Sequence, residues 1–360
     1  MRQTLLNQLE MKGITKSSLA KKVDMSPSQI TGFFKGKEIA FETVLEIVRY
    51  LIPEKELELM EQYSLNITSP RSIRYAMEYC STHRLLEALS HLINTATNHQ
   101  NKQLQETVQM YKLVYKWQTK NFPSETELYT QVKSLCPTDL TIKMLQTILE
   151  INILHAQKNY RMVKQVAELN QPIIDQLPDE FIKKSFKARL LQLLGYIEVK
   201  VNCNFTRTIE RATELLNCNI GSTFNSYSFY LYGLSYMLTD YEKSMSFFKK
   251  ASSEYKKSGL FAGVNAMQGN IFTLNVIWNK VSNPELQEFL DSKNDAYKQS
   301  GKGMYFQSLI TKDRELMYDS LTSSLETGDN MLATLASNEL KRMGESESYL
   351  NRLNKLAFTA

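Results

Sequence analysis

Ser28, Gln29 and Thr31 stand close together in the stretch Ser26-Pro27-Ser28-Gln29-Ile30-Thr31-Gly32-Phe33-Phe34, with Lys35 and Lys37 just beyond it. On a helix whose inward side is Ile30 and Phe33, that spacing turns an amide and two hydroxyls outward. Their chemistry is hydrogen bonding rather than proton transfer. A Gln amide can pair an adenine edge through two bonds, and Ser or Thr hydroxyls can bond to several bases. Lys16, Lys35 and Lys37 fall at turns and helix ends, where ammonium groups meet phosphates. Residues 1–37 hold seven basic side chains and two acidic ones, a surplus equal to the +5 of the whole chain. A local positive patch on an otherwise neutral chain suits a short stretch of nucleic-acid backbone. The expected DNA-contacting set is therefore Lys16, Ser26, Ser28, Gln29, Thr31, Lys35 and Lys37.

The residues that could do covalent or metal chemistry make a weaker pattern. Glu87 lies one helical turn from both His83 and His91, so a His-Glu-His face on a single helix is conceivable. Three ligands of that kind need a fourth, and nothing in the sequence supplies it. Cys80, Cys136, Cys203 and Cys218 form no CxxC pair and read as reduced thiols. Gly301-Lys302-Gly303 lacks the pattern that precedes it in a phosphate loop, and no GxSxG occurs. The expectation is a non-enzyme with no metal and no cofactor.

The elements that position these residues read as helices. Gly and Pro number only 13 and 8 in 360 residues, too few for the many turns of a β protein. Four short helices are expected over 1–52: Leu5, Leu6 and Leu9 on the first, Lys16–Val23, a third capped by Ser26 with Pro27 at its first position, and Phe41–Leu51. Leu19-Ala20, Val23, Ser26, Ile30, Phe33 and Lys35-Gly36-Lys37 together resemble an XRE/Cro-type helix-turn-helix. That resemblance implies a recognition helix in the major groove of double-stranded promoter DNA. Residues 53–334 alternate apolar-periodic stretches with short polar breaks, the rhythm of antiparallel helix hairpins. The segment Phe229…Tyr232-Gly233-Leu234-Ser235-Tyr236…Asp240-Tyr241…Phe248…Ala251 resembles a tetratricopeptide repeat, with Gly233 where two helices cross. The expected fold is thus all-α, a helix-turn-helix head followed by a tetratricopeptide-like solenoid whose concave side holds a peptide. Asn202, Asn225, Asn270 and Asn275 could bond a peptide backbone whatever its side chains, and Tyr232 could line the groove. Over 335–360 the stripe Leu335, Leu340, Met343, Leu350, Leu353 and Leu356 suggests a cap that pairs two copies. No signal segment opens the chain and no apolar run approaches the roughly 18 residues of a membrane span, so a cytoplasmic protein without a membrane partner is expected.

This plan resembles the arbitrium receptors of temperate phages. The residues carrying the resemblance are Leu177-Pro178-Asp179-Glu180-Phe181 through Arg189, Tyr241-Glu242 after Gly233, Asn275-Val276-Ile277-Trp278, and Leu340-Lys341-Arg342-Met343-Gly344-Glu345. The resemblance implies a homodimer that binds promoter DNA, governs the choice between lysis and lysogeny, and is turned off by a short arginine-containing peptide. It also implies that Asp329, placed by its spacing to Gly344, faces the peptide arginine in a charge-assisted bond. Two other readings fit the same pattern: a protein-binding scaffold with an incidental head, and a transcription repressor that no longer answers to peptide.

Overall fold

The computed structural model describes residues 1–350, and among them it contains helices and no strand. In chain order the helices are α1 Arg2–Met11, α2 Lys16–Lys22, α3 Pro27–Phe34, α4 Phe41–Leu51, α5 Glu56–Ser64, α6 Pro70–His83, α7 Leu86–Ala96, α8 Lys102–Thr119, α9 Glu125–Ser134, α10 Leu140–Ala156 and α11 Tyr160–Asp175. They continue with α12 Glu180–Tyr196, α13 Phe205–Asn217, α14 Ser222–Tyr236, α15 Tyr241–Lys257, α16 Phe261–Ile277, α17 Asn283–Asp291, α18 Asp295–Lys298, α19 Gly301–Thr311, α20 Arg314–Glu326 and α21 Asn330–Arg342. A π-helical segment, Ile197–Val201, prolongs α12. Two compact units form, one of Met1–Ile153 with Asn170–Phe186, the other of Leu154–Leu169 with Lys187 onward.

Within the first unit, α1 to α4 enclose a small core of Leu5, Leu9, Leu19, Ile30, Phe33 and Val44, each almost wholly buried. Thr15 accepts a hydrogen bond from the Ser18 N–H and so opens α2. Asp24 makes the turn in the left-handed region. The head is not free-standing. Phe41 of α4 packs edge-on against Tyr79 of α6 with ring centroids 5.6 Å apart, and Arg71 of α6 pairs with Glu42 of α4 at 2.7 Å.

The second unit contains the hairpins α13–α14, α14–α15 and α15–α16, each packed on the next. Gly233 on α14 lets α15 approach closely, because a Cβ there would lie 2.5 Å from Cε1 of Phe248. Ser244 of α15 donates to the Gly233 carbonyl at 2.8 Å and fixes the same crossing. Helices also stop where no glycine stands. Arg84, Lys120, Lys158 and Lys312 take the left-handed conformation at helix ends, which reconciles many short hairpins with few glycines.

Arg84 breaks what could be read as one continuous helix. It ends α6 immediately after His83, so His83 and His91 stand on different helices and the single His-Glu-His face does not form. His83 is buried beside the Tyr79 ring, whereas Glu87 and His91 are exposed.

Candidate functional site

The helix expected to meet DNA is α3. Ser26 caps it, accepting from the Gln29 backbone N–H, while the Gln29 side-chain carbonyl accepts from the Ser26 N–H at 3.0 Å. This reciprocal capping box satisfies two donors that a helix start otherwise leaves unpaired. It also occupies the Oε1 of Gln29, leaving its Nε2 for another partner. Ser28 shares a hydrogen bond with Ser26 at 3.0 Å, and Thr31 donates to the Pro27 carbonyl at 2.8 Å. Two-bond pairing of Gln29 with adenine therefore requires the box to open. Ser26, Ser28 and Gln29 are exposed, and Thr31 is half-buried.

The lysines ring this helix. Lys35 and Lys37 are exposed at its end, and the Lys37 stem lies over Gly32. Lys16 reaches over the Phe34 ring at 5.6 Å. None of the three has an acidic partner within ion-pair distance among the described residues. Three uncompensated ammonium groups beside one exposed helix make a surface that attracts phosphate. Arg2 was not singled out from sequence; its guanidinium covers Phe33 and donates to the Lys37 carbonyl at 3.4 Å, joining α1 to this surface.

The second candidate site lies in the second unit, around Asp329. Asp329 caps α21, accepting from the Leu332 N–H at 3.1 Å. It is also ion-paired with Lys200 at 2.9 Å, both side chains largely buried. Lys200 comes from the π-helical segment, whose last carbonyl, Val201, accepts from Asn330 at 2.6 Å. A small cavity of about 30 Å³ brings together Lys200, Asn270, Lys302 and Asp329. Burial, and then the neighbouring Lys200, pulls the Lys302 ammonium down to about 8, with Asp329 opposing. Burial raises the phenols of Tyr160, Tyr196 and Tyr230, and the charge of Asp329 raises each of them further.

Of the six residues expected to hold a peptide, only Asn270 and Asp329 line this cavity. Asn202 is exposed and donates to Glu198 at 2.8 Å. Asn275 accepts from Tyr241 at 2.9 Å, in a cluster with Trp278. Tyr232 stacks on Phe247 and shares a hydrogen bond with Thr213. Asn225 is half-buried on the second turn of α14. Lys200, Lys302 and the three tyrosines escaped the sequence reading, because no local pattern links residues so far apart in the chain.

A family model described as AimR transcriptional regulator-like matches residues 56–297, about two thirds of the chain. The chain belongs to the AimR transcriptional regulator-like family. A helix-turn-helix model matches residues 5–52, directly before the AimR-like region. Family and head together make this AimR-family chain a DNA-binding transcription regulator. The AimR transcriptional regulator of Bacillus phage phi3T is 22% identical, the match covering 86% of this chain and 88% of that protein. That of Bacillus phage SPbeta is 21% identical over 87% of each. A selenomethionine structure of phAimR superposes with a TM-score of 0.73 at 19% identity, covering 98% of this chain and 99% of that one. A ligand-bound phAimR structure gives 0.66 at 19% identity, covering 85% and 98%. These likenesses carry the AimR fold: an all-α chain with a helix-turn-helix ahead of helical repeats.

The C-terminal stripe needs correction. Leu340 and Leu350 are 0% and 4% exposed, packed into the core that also holds Phe306, Met317 and Leu321 of α19 and α20. They serve the chain's own packing and offer no surface to a second copy. Leu335 and Met343 are partly buried against the same core. Leu353 and Leu356 lie outside the described residues. Among the described residues no helix is long and apolar enough to cross a membrane, and no group of three His, Cys, Asp or Glu is arranged to hold a metal ion.

Proposed function

We propose that this regulator works as a homodimer under the control of a short arginine-containing peptide, and that it governs a phage lysis–lysogeny choice. The observation that carries the peptide reading is Asp329: a largely buried carboxylate whose charge reaches Tyr196 and Tyr230, its only ionic partner among the described residues being Lys200. A peptide guanidinium would replace Lys200 there, gaining a bidentate bond. The ligand-bound phAimR structure supports a ligand within this fold. On the DNA side, Lys16, Lys35 and Lys37 hold phosphates, and Ser26, Ser28, Gln29 and Thr31 meet base edges or the adjacent backbone. In the second unit Asn202, Asn225, Tyr232, Asn270 and Asn275 remain candidate peptide contacts, Asn270 and Asp329 foremost.

The test uses the full chain and fluorescently labelled fragments of DNA flanking its own gene. Lys35→Glu should weaken binding at least tenfold while leaving the circular dichroism spectrum unchanged. Synthetic arginine-containing hexapeptides are then titrated against the complex, with the same peptides carrying alanine for arginine as controls. Release of DNA by the arginine peptides alone, lost in Asp329→Asn, supports the reading. Equal behaviour of both peptide sets overturns it.

A further inference from the structure

The first unit contains a cavity of about 160 Å³ that neither the head nor the Asp329 site uses. Its size is close to that of a cavity of about 150 Å³ known to take a benzene-sized guest. Four helices meet there near their N-terminal ends: α6 brings Arg74, α8 brings Gln103, α10 brings Ile142 and α12 brings Ile182.

The polar groups in its wall are unequally satisfied. Asp139 is fully engaged, its Oδ1 accepting from the Thr141 and Ile142 N–H groups and its Oδ2 from Gln103 at 2.6 Å. Arg74 is half-buried and makes no hydrogen bond or ion pair with any described residue, although it feels both Asp139 and Asp179. Asp179 accepts from backbone N–H groups at the start of α12, among them Ile182 at 3.3 Å, and no cation stands within ion-pair distance of it. Burial raises the Asp179 carboxyl and lowers the Arg74 guanidinium, as expected of charges short of partners. The rest of the wall sets an apolar patch of Ile142, Leu145, Ile182 and Phe186 beside the hydroxyl-bearing Tyr75, Thr107, Tyr111 and Thr141.

We propose that this cavity binds a free α-amino acid with an apolar side chain, its carboxylate on Arg74, its ammonium on Asp179 and its side chain against Ile142, Leu145 and Ile182. A guanidinium is shaped to take a carboxylate through two parallel bonds. A simple anion would satisfy Arg74 but face two carboxylates, and a simple cation would leave Arg74 unpaired. A zwitterion satisfies both ends at once, and the apolar patch of the wall then favours an apolar side chain. The site is also placed to matter. Arg74 lies one turn from Arg71, the residue that ties α6 to Glu42 of the head.

The test is isothermal calorimetry of the full chain against each proteinogenic amino acid at millimolar concentration, without DNA or hexapeptide. Failure here therefore leaves the peptide reading untouched. A single site for one or a few apolar amino acids is expected. N-acetylated and C-amidated forms of those amino acids should bind at least roughly tenfold more weakly, because each removes one charge. Arg74→Gln and Asp179→Asn should each cause a comparable loss. The Asn variant keeps a carbonyl for the α12 cap, so it remains informative if Arg74→Gln disturbs folding. Absence of heat with every amino acid overturns the proposal, as does binding that neither blocking group nor either variant weakens.

Discussion

Lys200 is an occupant of the proposed peptide site as well as a part of the fold. Its bond to Asp329 is charge-assisted and largely buried, so an incoming guanidinium must first break it. Such bonds contribute roughly 1.5–3 kcal/mol, which is the scale of the competition. Lys200→Met should thus tighten binding of an arginine hexapeptide by about tenfold, since that corresponds to about 1.4 kcal/mol. It should lower the melting temperature, because Asp329 is left without its cation. Calorimetry that shows unchanged affinity would remove Lys200 from the pathway. Lys302 adds a pH dependence whose sign follows from its burial. Its ammonium, held down to about 8, lines the same cavity with Lys200 and Asp329, and Lys293 adds a further positive charge nearby. Below that value the charged form opposes both folding and a cationic peptide. Because the folded value lies below the roughly 10.4 of an unfolded lysine, the penalty is full below about 8 and fades between the two values. Stability and arginine-peptide affinity should therefore rise as pH goes from 7 to 9. Lys302→Met should flatten both profiles, and a wild-type affinity that falls over this interval would contradict the assignment.

At the scale of the element, α3 shows what a sequence can and cannot disclose. Ser26, Pro27 and the Ile30–Phe33 spacing are local signals, and they place the helix start and its buried face where the structure has them. The same locality hid the competing use of Gln29. A residue three positions after a serine cap is a capping partner as much as a base reader, and in the free protein it caps. The two uses can be separated. Gln29→Glu keeps a side-chain oxygen for the box, so the head should lose less than about 1 kcal/mol. If Gln29 meets DNA as proposed, the added negative charge should reduce affinity at least tenfold. A variant that melts normally and still binds promoter fragments normally would exclude Gln29 from the interface. Elsewhere the elements were legible to different depths. Gly233 could be identified because a helix crossing needs a small residue inside a recognisable spacing. The α6–α7 break could not, because Arg84 adopts a left-handed conformation that the residue type does not announce. The Lys200 site was hidden for a third reason. The π-helical segment Ile197–Val201 departs from the 3.6-residue period, so a periodicity reading misjudges which side chains it turns towards α21.

For the whole molecule, the open quantity is how many heads engage one DNA site. The C-terminal leucine stripe loses much of its force as an interface, since Leu340 and Leu350 are spent inside the chain. Two copies would then meet on the DNA through their heads. The charge distribution makes that measurable. The positive surplus is concentrated in residues 1–37, so salt dependence should report on the heads alone. Each phosphate contact contributes about −0.9 to the slope of log K against log salt concentration on duplex DNA. With Lys16, Lys35 and Lys37 free on each head, one head should give a slope near −3 and two heads a slope between about −5 and −6. Arg2 also borders this surface and adds to the absolute slope, so the difference made by one substitution is the sharper measure. Lys35→Ala removes one contact per head. A proposed homodimer with both heads on the operator should lose about two units of slope, and a single engaged head about one. Titrations of wild type and variant over the same salt range decide between them. A loss of one unit would mean that one head binds at a time and would overturn the paired-head arrangement, while leaving the proposed DNA contacts of α3 in place.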